Sequence, residues 1–232
     1  MQLFFTDIIN DTWATFDQVE SGHMIQSLRK KTGDEIDFTD GLGHHFKGII
    51  VEADRKHVKA SITSSQRHTQ EQLGLSVVMA PTKQHERMEW MVEKCVEMGV
   101  LDITIVGTKR SERNKVRLDR LQKIGLSAMK QSLQFFLPTI SYEPKFSKVL
   151  LKESPQKFIA VCLDQPLPYF GIDLKPSQGA IVLVGPEGDF TPDEVDSAAA
   201  AGYSKISLGQ NRLRTETAAI FAAATYKTIN KL

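Results

Sequence analysis

The chain has 232 residues, room for one large domain or two modest ones, each able to bury a core without disulfides or metals. Apolar residues make up 41 %, charged residues 25 %, and the formal net charge is +1, which excludes a disordered chain and a globally basic or acidic one. No apolar run approaches ~18 residues, and the opening MQLFFTDIIND lacks a basic segment leading into an apolar stretch. Neither a membrane span nor a secretory signal is therefore expected, and a cytoplasmic location follows. Cys95 and Cys162 lie far apart in apolar surroundings and are expected as reduced core residues. No Cys/His spacing matches a zinc site.

Residues 1–70 read as β-rich. FFTDII, the stretch Glu35–Phe38, GIIVEAD and HVKASIT are short runs with β-branched residues and alternation. Lys31-Thr32-Gly33-Asp34 and Thr39–Gly43 read as turns, with one short helix around Met24–Lys30. A small β-barrel domain over 1–70 fits this pattern. His23 reads as a packing or capping residue, and His44-His45 as the tip of an exposed hairpin. Residues 64–74 are polar and read as a linker.

The pattern then changes. LSVVMA (75–80) reads as a buried strand. Glu86–Met98 reads as a helix, because Met88, Met91, Val92, Cys95 and Val96 recur at helical spacing, and Gly99 stands at its C-terminal cap. DITIVG (102–107) is the next strand, and a long helix follows over 117–134. KFIAVCL (157–163), AIVLV (180–184) and KISL (205–208) are further strands, and the alanines at 198–201 are helix interior. Strands alternating with helices predict an α/β domain with a mostly parallel sheet over 71–232.

Charge is uneven along this order. Residues 1–70 carry net −2, 71–150 net +4 and 151–232 net −1. KRSERNKVRLDRLQK (109–123) holds seven basic and two acidic residues. It reads either as a solvated helix face or as a phosphate-contacting patch of Lys109, Arg110, Arg113, Lys115 and Arg117.

Three loops follow apolar strands, where ligands bind in open α/β sheets. The first begins at Leu163. The second, Gly185-Pro186-Glu187-Gly188-Asp189-Phe190, has more glycine than a strand-to-helix turn requires. Behind it, Thr191, Pro192 and Glu194 predict a capping box. A metal at Glu187 and Asp189 has only weak support, and no metal site is expected. The third loop, Leu208 to Ala218, places Arg212, Arg214 and Glu216 just after a glycine turn. This charge reads as a structural salt-bridge cluster or, better, as a ligand site, since arginine offers a planar fork for phosphate or nucleobase oxygens. Thr215 or Thr217 is expected to cap the last helix.

GPEGDFTPDE followed some twenty residues later by LGQNRLRTETAAI resembles the signature pair of the knotted SPOUT methyltransferases, in particular the RsmE type, which acts on uracil N3 of 16S ribosomal RNA. The resemblance covers the whole chain. His23–Arg29, Gly33 and Asp40–Gly43 resemble the family's PUA-like barrel. Glu86–Glu89 through Glu97–Val100 resemble the first helix of its catalytic domain, and Ser111-Glu112-Arg113 its basic segment. Two departures stand out. Met1–Phe5 lacks the arginine often found there, and Lys130–Gln134 stands where Glu-Gln and a later Arg are common.

The resemblance implies a SPOUT-like α/β domain with a trefoil knot, a homodimer, and S-adenosylmethionine as cofactor. It places the cofactor among Leu163, Gly185, Pro186, Glu187, Gly188, Leu208, Gly209, Leu213, Thr217 and Ala218. It makes 16S rRNA or the small ribosomal subunit the partner, with Arg29 joining the basic patch. In this reading Arg212 and Arg214 stabilise charge on the uracil oxygens, and Glu216 or Glu187 orients an arginine or accepts the N3 proton. A non-catalytic RNA-binding or ribosome-assembly factor would need the barrel and the basic segment, but not the two C-terminal loops. A related methyltransferase with another RNA target, such as a tRNA ribose, would not need the N-terminal barrel.

Overall fold

The computed structural model describes residues 2–69, 74–100, 102–111, 115–162 and 166–231. Two compact units make up the chain: 1–70 with 129–137, and 71–128 with 138–232.

The first unit is a six-stranded mixed sheet. In chain order the strands are β1 (Leu3–Phe5), β2 (Ile8–Ile9), β3 (Trp13–Phe16), β4 (Glu35–Thr39), β5 (His44–Ala53) and β6 (Val58–Arg67). Their spatial order is β1-β4-β5-β6-β3-β2, with β1 parallel to β4 and the other pairs antiparallel. The sheet forms a half-barrel rather than a closed one. Alternation sends Phe16, Phe38, Ile50 and Val58 inward, where they pack with Phe4 and Met24.

Several local expectations need correction here. The helix begins upstream of 24–30 and ends within it, as α1 (Gln18–Gly22) followed by a π-helical turn His23–Ser27. Asp17 starts it, its carboxylate accepting from the Glu20 N–H. His44 and His45 are not a hairpin tip. They open β5, half-buried, with His44 Nδ1 2.6 Å from Asp40 and His45 Nε2 2.8 Å from Asp37. The polar stretch read as a linker is strand as far as Arg67, because the backbone ladder to β5 continues there. Residues 129–137 also join this unit. The Phe135 ring stacks against both His45 and His68, at 4.7 and 4.5 Å, and Lys130 pairs with Glu20.

The second unit holds an all-parallel sheet: β7 (Leu75–Met79), β8 (Asp102–Val106), β9 (Thr139–Glu143), β10 (Gln156–Ala160), β11 (Ala180–Val184) and β12 (Ser204–Ile206), in the order β12-β10-β11-β7-β8-β9. β9 carries little apolar alternation and escaped the sequence reading. β11, at the centre, is buried at all five positions, which explains its unbroken apolar run. The helices are α2 (His85–Glu97), α3 (Leu118–Gln131), α4 (Phe146–Val149), α5 (Phe170–Asp173), α6 (Pro192–Ala200) and α7 (Thr215–Asn230). Met88, Met91, Val92, Cys95 and Val96 form the buried stripe of α2, and Gly99 follows at φ +78°. Cys162 departs from expectation: it is exposed, whereas Cys95 is buried, and both are free.

Candidate active site

β12, β10 and β11 are neighbours and parallel, so the loops leaving their carboxyl ends emerge at one edge of the sheet. These loops enclose a cleft of about 1240 Å³. Among the expected cofactor residues, Gly185, Pro186, Glu187, Gly188, Leu208, Gly209, Leu213 and Ala218 line it. Thr217 does not line it, and Leu163 lies outside the described residues.

The second loop is fixed from three sides. The Asp189 N–H donates to Pro186 O, closing a turn that holds Asp189 at φ +62°. Aspartate tolerates this left-handed conformation better than most residues. Its carboxylate accepts from the Phe190 N–H at 2.8 Å and from the Cys162 N–H, just beyond β10, at 2.9 Å. Behind the loop, Thr191 and Glu194 complete the capping box, with Pro192 in the first turn of α6. Two arginines from elsewhere then occupy its carbonyls. Arg212 Nη2 donates to Glu187 O at 3.2 Å, and Arg110 Nη1 to Gly188 O at 2.7 Å and Phe190 O at 3.3 Å.

In the third loop, Gly209 adopts φ +135°, a conformation open to glycine, with empty space where a Cβ would stand. Arg214, not Thr215 or Thr217, is the N-cap residue of α7, and it makes no side-chain capping bond. Its side chain is exposed and has no ion-pair partner within 4 Å among the described residues. The salt-bridge reading of Arg214 with Glu216 is therefore corrected. Glu216, in the first turn of α7, is buried and pairs instead with Arg87 of α2, Nε to Oε1 3.6 Å. Neither Arg214 nor Glu216 lines the cleft, whereas Arg212 and Glu187 do.

Arg110 is the residue whose place the sequence hid. It lies 78 positions before Gly188, and no local pattern ties it to that loop. Its own turn is pinned to α6: the Lys109 N–H donates to Glu194 Oε1 at 2.8 Å, and Lys109 Nζ sits 2.7 Å from Asp193. The side-chain bond from Lys109 Nζ to Asp193 raises the pKa of Lys109 and lowers that of Asp193. Of the remaining basic patch, Lys115 and Arg117 are exposed and Arg113 lies outside the described residues, while Arg29 is exposed on the first unit. At the cleft wall, partial burial, assisted by the Asp189 charge, pushes the Cys162 thiol up, opposed by Arg212. Among the described residues, no three metal-ligating side chains cluster.

An all-parallel sheet with a glycine-rich cleft at the ends of adjacent strands defines an α/β ligand-binding domain. A family model described as an RNA methyltransferase domain matches residues 69–227, and one described as an RNA methyltransferase PUA domain matches 17–63. The chain belongs to this family of RNA methyltransferases, with a PUA-like first unit. A solved structure described as a probable rRNA-methyltransferase from Porphyromonas gingivalis is 36 % identical, covers 100 % of this chain and 99 % of its own, and superposes with a TM-score of 0.93. A ribosomal RNA small subunit methyltransferase E from Mesomycoplasma hyopneumoniae is 33 % identical over 57 % of this chain and 60 % of its own length. The enzyme of that name from Neisseria gonorrhoeae, solved bound to S-adenosylmethionine, shares the fold at a TM-score of 0.84 and 24 % identity, over 98 % of this chain and 97 % of its own.

Proposed function

We propose that this chain transfers a methyl group from S-adenosylmethionine to N3 of a uridine in 16S ribosomal RNA, acting as a cytoplasmic homodimer whose C-terminal segment threads a trefoil knot. The observation that carries the reading is the convergence of the three loops on one cleft from neighbouring parallel strands. The names of the relatives supply the substrate class. The knot and the dimer rest on the family resemblance, since knots are too rare to infer from strand order alone.

The residues present suit a purine nucleoside. Val161, Val184 and Leu213 offer apolar walls, and Gly209 leaves backbone uncovered, while Gly188 lies against the Arg110 side chain. Gly185–Gly188, Leu208, Gly209, Leu213 and Ala218 would hold the cofactor, with Thr217 beside them and Leu163 on the first loop. When bound, it supplies a methyl group already electrophilic on a sulfonium, the difficult part of the chemistry.

The protein must align the acceptor and deal with the N3 proton, because neutral N3–H has no free lone pair. Deprotonation spreads negative charge over the two uracil oxygens. Arg212, at the cleft, and Arg214, without a carboxylate partner among the described residues, are the guanidinia that meet this charge. Of the two candidate carboxylates, Glu187 faces the cleft and takes the proton. Asp189 is spoken for by two backbone N–H groups, and Glu216 faces Arg87. N3 lies on the pairing edge, so the target uridine is unpaired or displaced from its stack. Arg29, Lys115 and Arg117, with Arg113, contact the RNA backbone.

Mass mapping of rRNA tests the reading. In a strain deleted for its own uracil-N3 enzyme, expression of this chain is expected to restore one methylated uridine in 16S rRNA. Unmodified 16S rRNA despite folded, cofactor-binding protein would overturn it.

A further inference from the structure

We propose that Arg110 is an anion-receiving residue of the cleft and that its anion is the carboxylate on the amino-acid portion of the cofactor. The inference rests on the cofactor reading above and adds a residue to it. Arg110 reaches the cleft from the loop after β8, and among the described patch residues it alone lines it. One guanidinium nitrogen, Nη1, takes the carbonyls of Gly188 and Phe190. Its Nε and Nη2 donate no hydrogen bond among the described residues, and no carboxylate stands within 4 Å of it there. A braced guanidinium with a free edge is preorganised for a planar oxyanion, since its orientation is fixed before the ligand arrives.

The surroundings favour this role over a general phosphate contact. The neighbouring cation, Lys109, is already paired with Asp193, so it neither competes for the anion nor adds to a diffuse field. Thr108 and Ser111 close the turn through a 2.7 Å contact between their hydroxyls, and the Lys109 N–H is held by Glu194. Arg110 is therefore carried on a short turn fastened to α6, with its guanidinium on the cofactor loop, not on a mobile basic arm. The other cleft cations differ: Lys205 faces Asp196, and Arg212, which braces Glu187 O, is assigned above to the uracil oxygens.

Calorimetry with two adenosine compounds tests this. S-adenosylhomocysteine carries the carboxylate, and 5′-methylthioadenosine lacks the whole amino-acid portion. Arg110→Ala is expected to weaken S-adenosylhomocysteine roughly ten- to hundredfold, with any loss for 5′-methylthioadenosine, from the missing brace on Gly188 and Phe190, at least about fivefold smaller. Arg110→Lys, which keeps the charge without the fork, is expected to fall between and serves if the alanine variant does not fold. Equal loss for both compounds would make Arg110 a brace for Gly188 and Phe190 only, and no loss for either would remove it from the site. Loss of RNA affinity with S-adenosylhomocysteine binding intact would assign the guanidinium to a phosphate; each of these three results overturns the proposal. Failure of the wild-type chain to bind either compound would instead sink the cofactor reading itself, and is seen before any variant is made.

Discussion

Arg87 of α2 and Glu216 of α7 meet through Nε and Oε1 at 3.6 Å, while Glu216 Oε2 is buried and has no hydrogen-bond partner among the described residues. A carboxylate left this way depends on its one cation. Removing a partner from a buried pair costs about 3–5 kcal/mol. Arg87 is 30 % exposed, so water softens the loss, and Arg87→Ala is expected to cost about 2 kcal/mol in urea unfolding. Glu216→Gln removes the buried charge and is expected to stay within about 1 kcal/mol of wild type. It should also retain most of the methylation rate per folded molecule. Glu187→Gln, at the cleft, should lose ~100-fold, the lower range for a general base. The opposite ranking of the two glutamine variants would return the proton to Glu216.

Arg214 carries the second prediction. It has no carboxylate partner among the described residues, so replacing it should not disturb the fold. Arg214→Lys is expected to keep its melting temperature and cofactor affinity while single-turnover methylation falls at least ~100-fold, the range for one oxyanion donor. Raising the pH should restore part of the rate, because more of the uracil is then already deprotonated. A variant of normal rate and lowered melting temperature would assign Arg214 to the fold instead.

The basic segment divides by what each cation already touches. Lys115→Ala and Arg117→Ala are each expected to reduce the salt slope of RNA binding by roughly 0.7–0.9. Lys109→Ala should change the slope less, because Asp193 already offsets its charge. Filter binding across a series of salt concentrations reads all three. An unchanged slope for Lys115→Ala and Arg117→Ala would leave the segment as solvated surface.

The cysteines predict a protection pattern. Burial pushes the Cys95 thiol up to about 12, whereas Cys162 is exposed at the cleft wall. In the native protein an alkylating reagent should label Cys162 alone, more slowly than a free thiol at neutral pH, because partial burial and the Asp189 charge disfavour its thiolate. Asp189→Asn should speed labelling and Arg212→Ala should slow it. S-adenosylhomocysteine should protect Cys162, as read by peptide mass mapping. Labelling of Cys95 before Cys162 would contradict the packing.

Much of this protein is written locally. The stripe of Met88, Met91, Val92, Cys95 and Val96 specifies α2 by its period, and Thr191, Pro192 and Glu194 start α6 in a capping box whose bonds all form within four residues. The unbroken AIVLV of β11 announces a strand covered on both faces, and the two glycine-rich loops after strands mark the cleft. These signals survive in the sequence because the interactions behind them are short-range. What the sequence could not rank were contacts between distant residues. Arg110 and Gly188, Arg87 and Glu216, and Cys162 and Asp189 meet only once the parallel strands have aligned their carboxyl ends. A guanidinium in a basic run looks the same whether it faces water or a carbonyl 78 residues away, since its charge does not encode its partner. Composition and periodicity thus determined which segments fold and where the loops open, while the tertiary structure alone decided which charges those loops share, because that depends on the geometry of the assembled sheet.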